Sequence, residues 1–291
     1  MQNHQLLMYC VQHLSPGGQI KLENLHAGAL NASYCLTIDN RRYLVKQFMG
    51  TRHLPIKPKH SFALQLELAK YGLAPRPLHL SSDQKVYIEE WVSHKVHGLS
   101  KPASENDIDL LAQSLLRIHK QPLLHDTVSL SKDSEIVGLP IRLLPKIDLP
   151  GHWGIYLKSI KDPQRKWKAK AKEYTNTYQQ YCLRLSDDFT LCHNDLSADH
   201  IASSKGLFFD WEYAGLGCRF FDLLACGLAN GFSQEEMDAL VLRYVELCDY
   251  HREEVFQRVK LLQPLVIFTY QLWWQAHQAI CSKREQSPQK A

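Results

Sequence analysis

The first third of the chain alternates apolar and polar positions with the period of two that is typical of β-strands. Three such runs, rich in β-branched and aromatic residues, predict strands at 34–38, 41–48 and 85–92. Asp39 and Asn40 connect the first two runs, as turn-forming residues do. A helical period over 62–72 is ended by Gly72 and by the prolines that follow it. The pattern therefore predicts a small sheet-rich lobe over residues 20–92.

After Gly98 the apolar positions change to the period of a helix. In 107–119 they form one stripe, made of Ile108, Leu111, Leu115 and Ile118. Further helices are predicted at 163–183, 233–248 and 251–280. Short strands at 189–195 and 206–211 bracket a loop, and the proline-containing segment 121–150 is predicted to be a long connection. The second part of the chain is therefore predicted to be a larger, mainly helical lobe.

Composition and charge support a globular protein and disfavour one class of partner. The chain has 291 residues, of which 45% are hydrophobic and 22% are charged, and this length commonly divides into two lobes. The formal charge is +4 and the isoelectric point is about 8.5. Its 34 basic residues are scattered and do not cluster with interleaved aromatic residues. We therefore expect no nucleic-acid partner.

The cysteines and the apolar segments predict a cytoplasmic protein without a membrane partner. None of the eight cysteines forms a CxxC pair, so they are interpreted as small buried residues in a reducing compartment. The first residues lack the pattern of a signal peptide. The most apolar late stretch, 261–274, is interrupted by Pro264 and is too short to span a bilayer. The oligomeric state is left open.

The chemistry of the sequence is concentrated in the predicted loop that contains "LCHNDLSADHI", residues 191–201. Asp195 lies here beside His193, and a second carboxylate, Asp210, ends the apolar strand that follows. Two such carboxylates suit phosphoryl transfer, in which one accepts the proton of the acceptor hydroxyl and the other holds Mg²⁺ on the nucleotide phosphates. Lys46 and Leu44 share one face of a predicted strand, as a phosphate-binding lysine and an adenine-contacting residue do.

The order of these motifs resembles the aminoglycoside phosphotransferase and choline kinase superfamily. The resemblance rests on "LCHNDLSADHI", on "FFDWEYAGLG" with the following "FFDLLA", on "LLRIHKQP", and on "ELAKYGLAPRPL". It implies an α+β, protein-kinase-like two-lobe fold with a small antiparallel-sheet N-terminal lobe and a larger, mainly helical C-terminal lobe. The expected lobes are 1–92, which binds the nucleotide, and 93–291, which carries catalysis and substrate binding.

The resemblance also implies a role for individual residues. Asp195 would be the catalytic base, Asp210 the metal ligand and Lys46 the phosphate-binding lysine. The expected cofactors are ATP and Mg²⁺, with Mn²⁺ as an alternative metal. The backbone of the hinge would hold adenine, at Glu90, Trp91 and Val92.

Three positions depart from the pattern of that superfamily. His200 stands where a second metal ligand is usually Asn, and an imidazole also binds divalent cations although Mg²⁺ prefers oxygen. The nucleotide loop has only Gly28, so backbone amides and the side chains of Asn31 and Ser33 are expected to hold the phosphates. Ser61 stands where a helix Glu would pair with the lysine, which leaves the ion pair of that lysine unassigned.

The predicted substrate is a small hydroxyl-bearing cation of the thiamine or choline type. Glu212 follows the metal-binding Asp, and aromatic side chains that suit a cation lie in the last helix, at Tyr270, Trp273 and Trp274. Ordinary helix packing explains these rings nearly as well. An aminoglycoside antibiotic phosphotransferase and a catalytically weak nucleotide-binding module remain as alternatives. His193 is interpreted as structural, and Asp222 as a cap or brace of the following helix.

Overall fold

The computed structural model describes most of the chain. The described residues are 3–14, 19–27, 31–48, 54–93, 97–124, 138–160, 163, 165–248 and 250–285. The predicted loop position Gly28 and the middle of the predicted connection 121–150 lie outside them.

The N-terminal part is a helix-flanked sheet of five antiparallel strands. Helix α1 spans Asn3–Leu14, and α2 spans Pro58–Lys70 between the third and fourth strands. The strands are β1 (Ile20–Ala27), β2 (Asn31–Ile38), β3 (Arg41–Phe48), β4 (Pro77–Leu80) and β5 (Val86–Glu90). Their order in the sheet is β1-β2-β3-β5-β4. The predicted strands and the predicted helix are therefore present.

The two faces of this sheet have different surroundings because side chains alternate along each strand. Val45 and Ile88 are directly opposite each other on β3 and β5, and both are fully buried in a small core to which α1 contributes Leu6. The opposite face carries Lys46 beside Tyr87, together with Leu44 and Glu89. One face of the sheet thus packs into this small core, and the other face carries polar side chains.

The C-terminal part is mainly helical. Its helices are α3 (Glu105–His119), α4 (Leu149–Ser159), α5 (Arg165–Arg184), α6 (Arg219–Ala229), α7 (Gln234–Glu246) and α8 (Arg252–Glu285). Short strands lie between them: β6 (Leu123–Leu124), β7 (Leu139–Pro140), β8 (Phe189–Cys192), β9 (Ile201–Ala202), β10 (Leu207–Phe208) and β11 (Gly215–Cys218). The strands pair as β6 with β7, β8 with β11, and β9 with β10.

Local sequence explains where several of these helices begin. Ser104 and Ser233 each form a capping box with the acidic residue three positions later, so α3 and α7 start where the backbone N–H groups are satisfied. α4 begins within the segment predicted to be a connection. Asp148 caps this helix by accepting a hydrogen bond from the backbone N–H of Gly151, and Pro150 lies in the first turn, where proline is compatible with a helix. α1 and α4 are elements that the hydrophobic pattern did not predict.

The predicted fold class is confirmed, with a five-stranded antiparallel sheet followed by a mostly helical remainder. The large hydrophobic core lies among the C-terminal helices, and α2 packs on it through Leu64 and Leu68. None of the helices in the described part of the chain combines the length and the hydropathy needed to cross a bilayer.

Candidate active site

The loop between β8 and β9 is held by one buried carboxylate, Asp222. Its Oδ2 accepts hydrogen bonds from the backbone N–H of His193 at 2.7 Å and from Nε2 of His119 at 3.0 Å, and its Oδ1 accepts one from the backbone N–H of Asn194 at 2.7 Å. Asp222 lies within the first turn of α6 and is fully buried. The expectation that Asp222 caps or braces the following helix is therefore corrected, because its hydrogen bonds anchor this loop.

Within the loop, His193 is a structural residue, as its sequence position suggested. Its Nε2 donates a hydrogen bond to the carbonyl of Phe209 at 2.8 Å, and its side chain is completely buried. Burial and the nearby His200 lower the pKa of His193 to about 4, so the ring is neutral near pH 7. His193 therefore holds the loop beside the strand that leads to Asp210.

The carboxylate of Asp195 lies beside this anchored backbone in a weakly solvated position. Burial raises its pKa to about 8, and the neighbouring charges of Asp210 and Asp222 act in the same direction. A carboxylate with a pKa near neutrality is suited to accept and release a proton. The carboxylate of Asp195, with its raised pKa, thus lies in the wall of a cavity.

Asp210 and Lys46 meet although 164 residues separate them in the chain. The ammonium of Lys46 donates a hydrogen bond of 2.8 Å to Oδ1 of Asp210, which has a positive φ of 63°. Burial alone would raise the pKa of Asp210, but the charge of Lys46 lowers it to about 2. For Lys46, burial alone would lower the pKa, and Asp210 and Glu89 raise it above its ordinary value. Both groups are therefore charged at neutral pH.

His200 is oriented toward Asp210 by a hydrogen bond on the other side of its ring. Its Nδ1 donates to the carbonyl of Asp195 at 2.8 Å, which leaves Nε2 with a free lone pair in the neutral ring. That Nε2 lies 3.8 Å from Oδ2 of Asp210. A backbone carbonyl that fixes the tautomer in this way is a common feature of metal-binding histidines.

Glu212 adds a third carboxylate to this part of the site. Burial raises its pKa well above the ordinary value, and the charges of Asp210 and Asp195 raise it further. Lys46 is the cation that acts on all three carboxylates. Such a group is stabilised when a divalent cation supplies more positive charge. The donors that lie together here, a carboxylate oxygen of Asp210 and Nε2 of His200, fit a divalent metal ion.

A cavity of about 310 Å³ opens beside Asp195. Its aromatic lining comes from Tyr156, Tyr213, Phe221, Tyr270 and Trp273, and its polar lining from Asn194, Asp195, Ser197, Asp199 and Thr269. This volume is at the lower end of the range for sites that bind small molecules. The cavity therefore combines a raised-pKa carboxylate with several aromatic faces.

Comparison with known proteins shows the family of this chain. The family model for the phosphotransferase enzyme family matches residues 21–256, which is most of the chain. The chain belongs to the phosphotransferase enzyme family. This protein is thus a phosphotransferase, in agreement with the sequence prediction. A search of curated protein sequences gave no significant match.

Solved structures of kinases share the fold of this phosphotransferase. The choline kinase LicA from Streptococcus pneumoniae matches with a TM-score of 0.66 at 17% identity over 100% of this chain and 94% of its own. An ethanolamine kinase from Plasmodium vivax matches with a TM-score of 0.65 at 15% identity over 97% of this chain and 81% of its own. The spectinomycin phosphotransferase APH(9)-Ia matches with a TM-score of 0.51 at 14% identity over 99% and 95%.

The phosphotransferase sheet places the predicted nucleotide-binding residues on one face. Ser33 is directly opposite Lys46 in the register of β2 and β3, so Asn31, two residues earlier, is on the same face. Leu44 lies on that face as well. The predicted hinge begins at Glu90, the last residue of β5, and continues through Trp91 to Val92.

The structure changes the predicted aromatic group. Tyr270 and Trp273 line the cavity of Asp195, and Nε1 of Trp273 donates a hydrogen bond to the hydroxyl of Tyr213 at 3.1 Å. Trp274 is 47% exposed and lines a separate groove with α5. Consecutive residues of a helix point about 100° apart, which separates the two tryptophans. The expectation that three rings surround one centre is therefore corrected for Trp274.

Glu212 also differs from its predicted place. Its side chain lines a smaller cavity, beside Lys57, His60 and His152, instead of the cavity that contains Asp195. Sequence reasoning had placed Glu212 with the substrate because it follows the metal-binding Asp. Tyr213, at the end of the turn of 3₁₀ helix Trp211–Tyr213, lines the larger cavity instead.

Several cavity residues were missed by the sequence analysis, among them Tyr156 and Tyr213. Tyr156 belongs to α4, which the hydrophobic pattern did not predict. Burial raises the pKa of Tyr156, and the negative charge of Asp195 raises it further. Tyr213 belongs to the quoted motif "FFDWEYAGLG", but nothing in its spacing distinguished it from a packing residue.

Proposed function

We propose that this phosphotransferase transfers the γ-phosphate of ATP to the hydroxyl of a small cationic metabolite of the choline, ethanolamine or thiamine type. The proposal is carried by the cavity beside Asp195, in which carboxylates and aromatic rings face the same space. Aromatic faces attract ammonium groups, and each contact contributes about 0.5 to 2 kcal/mol. A hydroxyl on the same molecule then lies within reach of a basic carboxylate.

The nucleotide side of the proposal uses the polar face of the sheet. Lys46 contacts the phosphates, Asn31 and Ser33 add polar groups beside them, and Leu44 contacts adenine. The backbone of Glu90 to Val92 provides the hydrogen bonds to the base. An AMP complex of the structurally similar LicA is known, which supports nucleotide binding at this fold.

The metal side uses Asp210 and His200. These residues would hold a Mg²⁺ or Mn²⁺ ion, which would supply positive charge against the negative charge that develops during transfer. Binding to His200 requires the neutral ring, and its hydrogen bond to the Asp195 carbonyl keeps Nε2 available for the metal.

In the proposed step, the carboxylate of Asp195 orients the acceptor hydroxyl and accepts its proton as the oxygen attacks phosphorus. The bond that forms joins the acceptor oxygen to the γ-phosphorus, and the bond that breaks joins this phosphorus to the β,γ-bridging oxygen, which leaves with ADP. Asp222 keeps the loop backbone in place through its hydrogen bonds to His193 and Asn194.

The cavity favours a small cation over an aminoglycoside. Its volume of about 310 Å³ suits one small molecule, and its acidic residues are Asp195 and Asp199. An aminoglycoside carries several ammonium groups and needs an array of carboxylates to bind them. The aminoglycoside phosphotransferase interpretation is therefore the less favoured of the two.

Substrate specificity is tested by ADP release with thiamine, choline, ethanolamine and kanamycin compared side by side. We expect one of the first three to be used best, and we expect titration calorimetry to detect ATP binding in the presence of Mg²⁺ or Mn²⁺. Preference for kanamycin would contradict the proposed substrate class. Absence of ATP binding at millimolar nucleotide would contradict the proposed function as a whole.

Replacement of Trp273 by alanine is expected to weaken the cationic substrate by about two- to thirtyfold, which corresponds to about 0.5 to 2 kcal/mol. ATP affinity should not change. Trp274→Ala is a matched control because the two residues are adjacent in α8 and Trp274 lies outside the cavity. Substrate KM and calorimetric ATP affinity measure the difference. Equal effects of the two substitutions would remove the ring of Trp273 from the binding site.

The rate is expected to depend on the protonation of Asp195. Because its pKa is raised to about 8, the basic form increases as pH rises through that value. At low Mg²⁺ concentration, kcat/KM should rise from about pH 6 and level off above about pH 8. A cation bound at Asp210 lowers the pKa of Asp195, so saturating Mg²⁺ should move the rise to lower pH. Initial rates of ADP release measure both profiles, and a midpoint independent of metal would contradict this assignment.

A further inference from the structure

A buried carboxylate that the proposed reaction does not use lies on the nucleotide-facing side of the sheet. Glu89 is 2% exposed and is directly opposite Leu44 in the register of β5 and β3. Lys46 is two residues further along β3 and therefore points to the same face. A carboxylate is rarely buried without a partner, because removal of its charge from water costs several kcal/mol.

The partner that orients Glu89 comes from helix α2. Nε2 of Gln65 donates one hydrogen bond to Oε2 of Glu89 at 2.6 Å and a second to the carbonyl of Pro75 at 2.9 Å. The Oε1 atom of Gln65 accepts a hydrogen bond from the hydroxyl of Tyr87 at 2.7 Å. All the hydrogen-bonding directions of this amide are thereby fixed, and Glu89 is held in one orientation.

This arrangement bears on the unassigned ion pair of Lys46. The superfamily pattern places a Glu near position 61 of this chain, where Ser61 stands. Gln65 lies four residues later and so is on the same side of α2, one turn along. The helix therefore contributes a neutral amide, and the negative charge comes from Glu89 on the neighbouring strand.

Lys46 also requires a second counter-ion when the site is loaded. Its ammonium contacts Asp210 at 2.8 Å, but Asp210 is the proposed metal ligand. A divalent cation on Asp210 repels this ammonium, which must then turn toward the phosphates. Burial raises the pKa of Glu89, and the positive charge of Lys46 opposes that rise, so the two groups interact.

We propose that Glu89 is a positioning residue, held by Gln65, that acts as the counter-ion of Lys46 and keeps its ammonium directed at the nucleotide phosphates. This inference rests on the proposed nucleotide site. It assigns to a strand carboxylate the task that a helix Glu performs in the resembling superfamily. It also removes one reason for regarding the protein as a catalytically weak nucleotide-binding module.

The effect on nucleotide affinity distinguishes positioning from simple charge. Loss of a negative charge beside the phosphates would by itself strengthen the binding of an anion, whereas loss of the orientation of Lys46 weakens it. For Glu89→Gln we expect ATP affinity to fall about tenfold in calorimetry with the full chain when Mg²⁺ is present. The fall should be smaller without Mg²⁺, because Asp210 then keeps its contact with Lys46. Adenosine, which lacks phosphates, should bind as it does to the unchanged protein.

Two controls use the same network. Tyr87→Phe removes one hydrogen bond to Gln65 and leaves the charges of Glu89 and Lys46 in place, so ATP affinity should stay within about threefold of the unchanged protein. In a Lys46→Met background, the Glu89→Gln change should have no further effect on ATP affinity, because coupled residues are not additive. The double variant Gln65→Glu with Glu89→Gln moves the carboxylate to the helix and should restore most of the affinity.

The outcomes separate this inference from the proposed function. If the unchanged protein does not bind ATP, the proposed function fails. If it binds ATP, and Lys46→Met weakens binding while Glu89→Gln leaves it unchanged or tightens it, only the positioning role is overturned. A loss of adenosine affinity, or an equal effect of Glu89→Gln in the Lys46→Met background, would overturn that role too. If Glu89→Gln does not fold, the double variant decides, and weak ATP binding or failure to fold there would contradict the inference.

Discussion

Replacement of Asp195 by asparagine is expected to lower turnover by about 10²- to 10⁴-fold while nucleotide affinity stays nearly unchanged. The amide keeps the shape of the side chain but accepts no proton from the acceptor hydroxyl. Because the carboxylate of Asp195 has a pKa raised to about 8, the unchanged protein has a base of suitable strength that the variant lacks. Single-turnover rates of ADP formation, with calorimetric ATP affinity, measure the two effects separately.

Asp199→Asn is the matched control for this experiment. Asp199 is exposed and lines the same cavity, so its negative charge faces a bound cationic substrate from a position open to solvent. We expect Asp199→Asn to change the substrate KM more than kcat. Full turnover in Asp195→Asn would assign Asp195 a structural role and would require another base.

Removal of the Asp222 carboxylate is expected to have the largest effect on stability. Asp222→Ala leaves the backbone N–H groups of His193 and Asn194 and the ring of His119 without their acceptor. The side chains of Asp222 and His119 are both 0% exposed. Removal of one partner of a buried charged network costs about 3–5 kcal/mol in the free energy of unfolding. Urea denaturation followed by circular dichroism measures this loss through the midpoint and slope of the transition.

The control for Asp222 is a carboxylate at the surface. Asp109 pairs with Arg243 at 2.7 Å, and both side chains are more than one third exposed. Asp109→Ala should therefore cost about 1 kcal/mol or less. A loss below about 1 kcal/mol for Asp222→Ala as well would contradict the anchoring role given to Asp222.

The conservative variant Asp222→Asn separates stability from catalysis. The amide oxygen of the variant still accepts one hydrogen bond from the loop backbone. Its NH₂ group replaces the second acceptor and repels the other backbone N–H. We expect a folded protein in which the loop moves relative to its anchored position. Because Asp195 is next to the anchored Asn194, a displacement of about 1 Å is enough to lower turnover by about 10²-fold. Normal turnover in a destabilised Asp222→Asn variant would confine Asp222 to a structural function.

The departures from the kinase-like pattern have physical compensations nearby. His200 stands in the place of an Asn, but a carbonyl fixes its tautomer so that Nε2 faces Asp210. Ser61 stands in the place of a Glu, and a buried carboxylate on β5 lies on the same face as Lys46 instead. In the sequence, each of these two departures is visible only as the absence of the residue that the superfamily usually has at that position. Their partners lie on other elements, so the compensations appear only in the folded protein.

The sequence by itself determined many of the elements, though not α1 or α4, and the order of the motifs. The period of two over β2, β3 and β5 and the period of about 3.6 in α3, α7 and α8 are properties of neighbouring residues, which local spacing reports directly. The motifs around Asp195 and Asp210 are also local in sequence, and their separation along the chain supported the resemblance to a family. The match to the phosphotransferase family model then showed that family. The roles assigned to individual site residues remain predictions.

Only the tertiary structure decided which side chains share a site. Lys46 and Asp210 are 164 residues apart, and Trp153 of the unpredicted α4 packs against Phe268 of α8. Trp273 and Trp274 are adjacent in sequence yet line different cavities. Glu89 shares a sheet face with Lys46 through a strand register that sequence spacing does not reveal. Local periodicity fixes which face of an element a residue occupies. What that face meets depends on the packing of elements far apart in the chain, and so does the pKa that burial gives to Asp195.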